Sequence, residues 1–418
     1  MMNNFKSLPR IIIALPITNE LDLLPRLLSD ISNQVIQPEE VVICVNQPDH
    51  WWADANNQHI VKANQESLNL LRKENRFKIT LIDRSGSGLG WQGKQCGVGW
   101  ARKTTMDLIA DKASDTDIIV SLDADTSFGA EYLISVAQNL ANHPGATGLS
   151  VPYYHRLTGT NESLDRAMLR YEIYMRCYAI NLWRIGCPYS FTALGSAIAV
   201  PVWAYKKIQG MTPQKSGEDF YFLQKLRKYG PLLYWNEEKV YPETRFSERV
   251  FFGTGPALIK GVQGNWESYP IYSIAYFNEV KTTYSLFARL YDEDIQTPMT
   301  SFLETIFFGG FWKPLRRNSR TVENFIKACH QKVDALRILQ YLKWRNQQEP
   351  GIAEEQLSEI IALSTQEIEH PAIVPDFQNF SFKFSPISQI DQIRDFLMTW
   401  EETFQRKHAD NFNHIENK

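Results

Sequence analysis

Two aspartates one residue apart, Asp123 and Asp125, follow directly on the run Ile118-Ile119-Val120-Ser121-Leu122. Carboxylates at this spacing can both approach a hard divalent cation, directly or through water. Such a cation can bridge diphosphate oxygens and stabilise the charge on a departing nucleotide. The spacing alone discriminates little, because Asp115-Thr116-Asp117 and Asp292-Glu293-Asp294 share it. Those two triplets stand in polar surroundings and read as solvated turn or surface acids. Asp123 and Asp125 differ by their place at the carboxyl end of an apolar run, where loop capping is the competing reading.

A second acidic pair, Glu218-Asp219, follows Ser216-Gly217 and precedes Phe220-Tyr221-Phe222-Leu223. Ser216 to Asp219 fits a capping-box-like helix start, whose acids favour the positive end of the helix. A carboxylate at the mouth of a site could equally act as general base toward a hydroxyl. Both can hold at once.

The stretch from Gly86 to Gln95 supports rival readings. Gly88, Gly90 and Gly93 match G-x-G-x-x-G after a strand-like run, and Gly88, Gly93 and Lys94 match most of a P-loop. Gln95, however, stands where a P-loop needs Ser or Thr to hold magnesium. Gly97 and Gly99 fall where the nucleotide-binding helix should have begun, and each weakens a helix interior. A loop near donor phosphates fits the glycine content better.

These residues must be positioned by something, and the pattern around them is α/β. Ile11 to Leu15, Val41 to Val45, Phe77 to Ile82 and Ile118 to Leu122 read as strands, and Leu21 to Ile31 as a helix. Continuous apolar runs separated by helical patterns predict a mostly parallel sheet covered on both faces. Ligands of such sheets bind beyond the carboxyl ends of the strands. That points to Pro16 to Glu20, Asn46, Asp83 and Asp123 to Asp125. A helix is expected over Glu162 to Trp183. Its stripe of Leu164, Met168, Tyr171, Met175, Tyr178 and Leu182 forms either an acceptor groove or, more simply, a core face. Ala197 to Val200 reads as a further strand. Helical patterns recur from Thr321, through Leu357 to Leu363 and Ile390 to Trp400, as an appendage without a chemical motif.

The ordered set resembles family 2 glycosyltransferases over about residues 8 to 235. Pro16-Ile-Thr18-Asn19-Glu20 resembles their P-x-Y-N-E opening, with Thr18 for Tyr. Val45-Asn46 resembles the end of their second strand, with Asn46 for the usual Asp. Gly99-Trp-Ala-Arg102-Lys103 looks like their G-x-A-R-N segment, with Lys103 for Asn. Asp123-Ala-Asp125 looks like their D-x-D motif. Gly195, Gly210, Glu218-Asp219 and Arg227 to Gly230 follow the order of their acceptor side.

The resemblance implies a GT-A, Rossmann-like fold and an inverting transfer of one sugar from a nucleotide-sugar. The acceptor would be a hydroxyl on a glycan, glycolipid or cell-envelope precursor. Asp219 would be the base, with Glu218 beside it. Asp123 and Asp125 would hold Mg2+ or Mn2+ with the donor diphosphate. Pro16, Thr18, Glu20, Asn46, Arg102 and Lys103 would line the donor pocket. Arg245 and Arg249 lie where processive relatives carry Q-x-x-R-W. Here Ser247-Glu248-Arg249-Val250-Phe251 departs from it, which speaks against a processive synthase. A solvated surface position is expected for both arginines, with a hold on the leaving diphosphate as the alternative.

The resemblance also frames three segments: a catalytic region over 1–240, an extension over 241–320 facing acceptor or membrane, and a helical region over 321–418. The chain has 418 residues, 44% of them hydrophobic, which is enough for a sizeable core. A formal net charge of -3 provides no general field for nucleic acid. Five widely spaced cysteines without a C-x-x-C pair argue against a disulfide framework or a zinc site, and for a reducing compartment. No apolar run is long enough to span a membrane, so a cytoplasmic protein is expected. The aromatic and basic segment Ile306 to Arg317 could dip into the inner face of a membrane, or pack under the helical tail. Two other function classes remain open: a P-loop-like nucleotide hydrolase, and a non-catalytic carbohydrate-binding or scaffold protein.

Overall fold

The computed structural model describes residues 8–93, 95–214, 216–246, 253–307, 310–367, 375, 377 and 379–412. Lys94 and Arg249 lie outside them, as do residues 308–309 of the aromatic and basic segment. The chain forms two compact units. The first holds Met1–Met168, Phe191–Lys260 and Gln405–Lys418, and the second holds Leu169–Ser190 and Gly261–Phe404. The units therefore interleave along the chain, where three consecutive segments were expected.

The first unit is built on the strands read from the sequence. They are β1 (Ile11–Ile17), β2 (Glu40–Asn46), β3 (Ile79–Arg84) and β4 (Ile118–Ser121). Shorter strands follow: β5 (Thr126–Phe128), β6 (Gly148–Ser150), β7 (Ile198–Pro201), β8 (Leu232–Leu233) and β9 (Val240–Pro242). The main sheet runs β3-β2-β1-β4-β7-β6-β8, and β5 pairs with β9 in a small second sheet. Its first four strands are mutually parallel; β7 runs antiparallel to both its neighbours. Every residue of β1 and of β4 is buried. Both faces of these strands must therefore be covered, as continuous apolar runs require.

Helices α1 (Leu24–Ser32), α2 (Gln58–Lys73), α3 (Val98–Lys112), α4 (Tyr132–Asn142), α5 (Glu162–Arg184), α6 (Val202–Lys207) and α7 (Glu218–Tyr229) connect or follow these strands. In α1, Leu24, Leu27, Leu28 and Ile31 are buried at steps of three and four, the stripe of an amphipathic helix. The start of α7 differs from the expected capping box. Gly217 caps it in the left-handed region at φ 74°, and no side chain caps it.

In the second unit, the stripe on α5 is core. Of its residues in this unit, Tyr171, Met175 and Leu182 are buried, and Tyr171, Tyr174 and Tyr269 meet ring to ring. Buried Arg176 on the same helix is paired, contacting Glu172 at 2.6 Å and Glu401 at 2.9 Å. The aromatic part of Ile306 to Arg317 also packs inward. Phe311 and Trp312 are buried, Trp312 lies against the Phe287 ring, and Arg316 donates to the Leu290 carbonyl. These two rings are spent on packing, the alternative read for this segment. Among the described residues, no helix is long and apolar enough to cross a membrane.

Candidate active site

The strand order turns back at β1. Its chain neighbour β2 lies on one side, and β4, reached after β3, on the other. A crevice opens beyond the carboxyl ends of strands at such a reversal, where open α/β sheets take ligands. Pairing of β1 with β4 stops at Ala14–Ser121, whereas pairing with β2 continues to Ile17–Val45. Pro16 thus sits inside a central strand only where the β4 ladder has ended, so its missing N–H costs no bond on that side. Thr18 to Glu20 leave one lip of this crevice and Asp123 to Asp125 the other.

One buried guanidinium organises the β4 lip. Arg102, on α3, donates from Nη2 to Asp123 Oδ1 at 2.8 Å and from Nη1 to Ser121 Oγ at 2.5 Å and Gly195 O at 3.0 Å. Its Nε reaches Glu218 Oε1 at 3.4 Å. The side chain is only 2% exposed. Burial opposes its charge, but Asp123 and Glu218 outweigh that and hold the guanidinium firmly ionised. Arg102 was expected to line the donor pocket. Four of its five N–H groups go to protein acceptors, so it braces the site. Gly195 makes this possible: a Cβ there would stand 2.4 Å from Arg102 Nη2.

A second guanidinium bridges the two lips. Arg245 Nη2 lies 2.7 Å from Asp125 Oδ2 and 2.8 Å from Glu20 Oε1. Burial again opposes the charge, and Asp125 with Glu20 overcomes it. The solvated position expected for Arg245 is therefore wrong, because its partners approach from remote parts of the chain.

The acidic pair opens α7. Glu218 is buried, and burial raises its carboxyl despite Arg102. Asp219 is half-buried and accepts from the Phe220 N–H at 2.8 Å. Desolvation and the neighbouring Glu218 push its carboxyl up to about 7. A carboxyl with that value can both accept and release a proton near neutrality. Glu218, expected beside it as a catalytic group, is held by Arg102. Its charge raises the neighbouring Asp219 carboxyl.

Other expected site residues divide. Thr18 Oγ1 donates to the Asn46 carbonyl at 2.9 Å. The Asn46 side chain is buried at 2% exposure, its amide donating to Ile17 O and accepting from Trp91 Nε1. It clamps the ends of β1 and β2. Asn19 takes a left-handed φ of 56°, its N–H donating to Asn64 Oδ1 at 2.8 Å. Lys103 pairs with Asp107 at 2.7 Å, an acid that also accepts from Tyr205, so its charge is directed elsewhere than the strand ends.

The glycine-rich stretch is pinned to the protein. The N–H groups of Gly88 and Gly90 both donate to Asp49 Oδ1, and a Cβ on Gly90 would stand 2.6 Å from the Asp49 backbone. In a P-loop such amides cradle phosphate; here a carboxylate of the same chain fills that place. The rival acidic triplets also resolve. Asp117, expected to be solvated, is 2% exposed and holds Arg10 at 2.7 Å, while Asp294 is a surface partner of Arg316.

The donor set tests whether a cation would fit. Asp123 gives one oxygen to Arg102 and Asp125 one to Arg245, and each keeps its second oxygen. Among the described residues, Arg102 pairs with Asp123 and Glu218, and Arg245 with Asp125 and Glu20. A divalent cation would offset the repulsion between these carboxylates and an anionic diphosphate. Among the described residues, no group of three or more metal-ligating side chains gathers. Two carboxylate oxygens suit a magnesium- or manganese-type ion that takes its other ligands from phosphate and water.

No protein-family model matches the chain, and no curated protein matches it. Solved structures that resemble it are distant. S. aureus TarS 1-349 is 13% identical with a TM-score of 0.37, over 95% of this chain and 92% of that one. The same protein in complex with UDP is 12% identical with a TM-score of 0.37, over the same shares. Mannosyltransferase PcManGT from Pyrobaculum calidifontis, in complex with GDP-Man and Mn2+, is 14% identical with a TM-score of 0.37, over 97% and 88%. At this distance the likeness carries no argument about fold or chemistry, which rest on the geometry above.

Proposed function

We propose that this chain is a nucleotide-sugar-dependent glycosyltransferase of GT-A type, similar to family 2, that moves one sugar to a hydroxyl acceptor. The observation that carries the reading is the Arg102 brace. It ties the first carboxylate beyond β4 to the acid pair at the head of α7, joining a donor-side and an acceptor-side element at the sheet's switch point.

Asp123 and Asp125 would hold Mg2+ or Mn2+ through their remaining oxygens. That ion, when bound, supplies charge neutralisation for the diphosphate and its departure. Asp219 takes the proton of the acceptor hydroxyl. Glu218 keeps the Asp219 carboxyl basic enough to do so, and Arg102 fixes both acids in place. With Glu218 paired and Asp219 the open carboxylate, direct displacement by the hydroxyl is favoured, which inverts the anomeric centre. Release of Arg245 from Asp125 when a cation arrives would free its guanidinium for a phosphate oxygen.

The acceptor class is a glycan, glycolipid or cell-envelope precursor. All five cysteines are free thiols, in keeping with a reducing, cytoplasmic site of action. The test is Asp219→Asn. It should bind a nucleotide-sugar in the presence of Mn2+ as the unaltered protein does, yet fail to transfer. Retained transfer would remove the base assignment.

A further inference from the structure

A pocket of about 400 Å³ lies in the first unit beside the β5–β9 ladder, lined among others by Arg26, Asp30, Phe128, Arg156, Tyr241 and Glu243. Its size falls in the range of small-ligand sites. One of its polar atoms lacks the partner its burial calls for, and an exposed guanidinium stands at its rim. Asp30 Oδ2 is buried and accepts no hydrogen bond. The Arg156 guanidinium makes no ion pair among the described residues and rests over the Tyr241 ring at 4.2 Å. The other charges are matched, with Arg26 Nη1 2.5 Å from Glu243 Oε1.

The charges decide what can enter. Two guanidiniums and two carboxylates leave the pocket formally neutral. An anion would satisfy Arg156 but meet Asp30 and Glu243; a cation would satisfy Asp30 but meet Arg26 and Arg156. A neutral ligand must donate to Asp30 and accept from Arg156 together. Hydroxyl groups on adjacent carbons do both, and the aromatic walls suit the apolar face of a sugar ring. Burial also raises the Asp30 carboxyl, against the pull of Arg26 and Arg156, so the group gains from a donor brought by a ligand.

The pocket also adjoins the reaction centre. The Glu243 N–H donates to the carbonyl of Asp125 at 3.0 Å, and Arg245, two residues on, holds the Asp125 carboxylate. One short segment, Tyr241 to Arg245, therefore forms a wall of the pocket and touches the D-x-D motif.

We propose that this pocket is a saccharide subsite for a neutral sugar unit of the acceptor. Its assignment to an acceptor rests on the transferase reading; saccharide binding itself does not. The test is saturation-transfer NMR on the full chain with cellobiose, mannobiose, galactobiose and chitobiose, using a glucuronyl disaccharide and inorganic phosphate as charged comparators. At least one neutral disaccharide should bind. Asp30→Asn and Arg156→Ala should each weaken it tenfold or more, in samples whose melting curves show an intact fold. The proposal is overturned if no neutral disaccharide receives saturation, if a charged comparator is preferred, or if both variants bind as the unaltered protein does. Manganese-dependent donor binding in the same samples separates the two readings. Disaccharide binding without donor binding removes the transferase and leaves the subsite; donor binding without disaccharide binding removes the subsite alone.

Discussion

Arg245 Nη2 stands 2.7 Å from Asp125 Oδ2, so the carboxylate assigned to a cation is held by a guanidinium of the same chain. Both side chains are partly shielded, at 28% and 22% exposure. An ion pair of this kind contributes about 1 kcal/mol. Arg245→Gln removes the competitor, and Mn2+ binding without nucleotide should tighten about fivefold, as 1.4 kcal/mol is tenfold. Titration of Mn2+ by electron paramagnetic resonance reads this directly. Unchanged or weaker binding would mean that Arg245 and the cation do not share Asp125.

Arg102 is a different case, because it is buried. Arg102→Ala leaves Glu218 and Asp123 without their partner, and loss of one member of a buried pair costs about 3–5 kcal/mol. The midpoint of urea unfolding should fall accordingly. Arg102→Lys keeps the charge but loses the planar fork that reaches Ser121, Gly195, Asp123 and Glu218, and should lie in between. An alanine variant within about 1 kcal/mol of the unaltered protein would show that the brace is not needed.

Gly195→Ala probes the same brace without touching a charge. The added methyl would meet Arg102 Nη2 at 2.4 Å and Cζ at 2.9 Å. A packed guanidinium has little room to retreat, so overpacking should cost about 1–3 kcal/mol. Manganese-dependent donor binding should weaken with it, as Asp123 shifts. A variant equal to the unaltered protein in both measurements would place Arg102 elsewhere.

The Asp219 carboxyl gives a pH signature. Burial and Glu218 raise it from an ordinary 3.8 to about 7. Transfer needs its ionised form, so activity should climb as pH rises toward 7 and level above it. Stability moves the other way. The native state binds this proton more tightly than the unfolded chain. The group therefore contributes declining stability as pH rises from about 4 to 7, and no further change above. Glu218→Gln removes a neighbouring negative charge and should move the activity limb to lower pH. A limb that stays in place would assign it to another group.

Much of the frame was legible because β1, β2 and β4 are unbroken apolar runs ending in polar residues. Their carboxyl ends, and hence Thr18, Glu20, Asp123 and Asp125, could be placed without coordinates. Strands β6 and β8 could not, since three and two residues carry no period. The roles of the arginines were hidden for another reason. Arg245 meets Glu20 across 225 positions and Arg102 meets Glu218 across 116, and spacing along the chain says nothing about such partners. Asn46 and Lys103 matched motif positions, yet Trp91 and Asp107 had already engaged them. A motif specifies residue type, whereas local hydrogen bonding decides which face remains open.

The account stands most directly on cation-dependent donor binding at Asp123 and Asp125. The measurement is a thermal-shift series of nucleotide-sugars with and without Mn2+, on the unaltered protein and on Asp125→Ala. A ligand at one hundred times its Kd stabilises the folded state by about 2.7 kcal/mol. At least one nucleotide-sugar should raise the melting temperature only when Mn2+ is present, and Asp125→Ala should abolish that rise. A series in which none does so, or a rise that survives Asp125→Ala, would contradict the account.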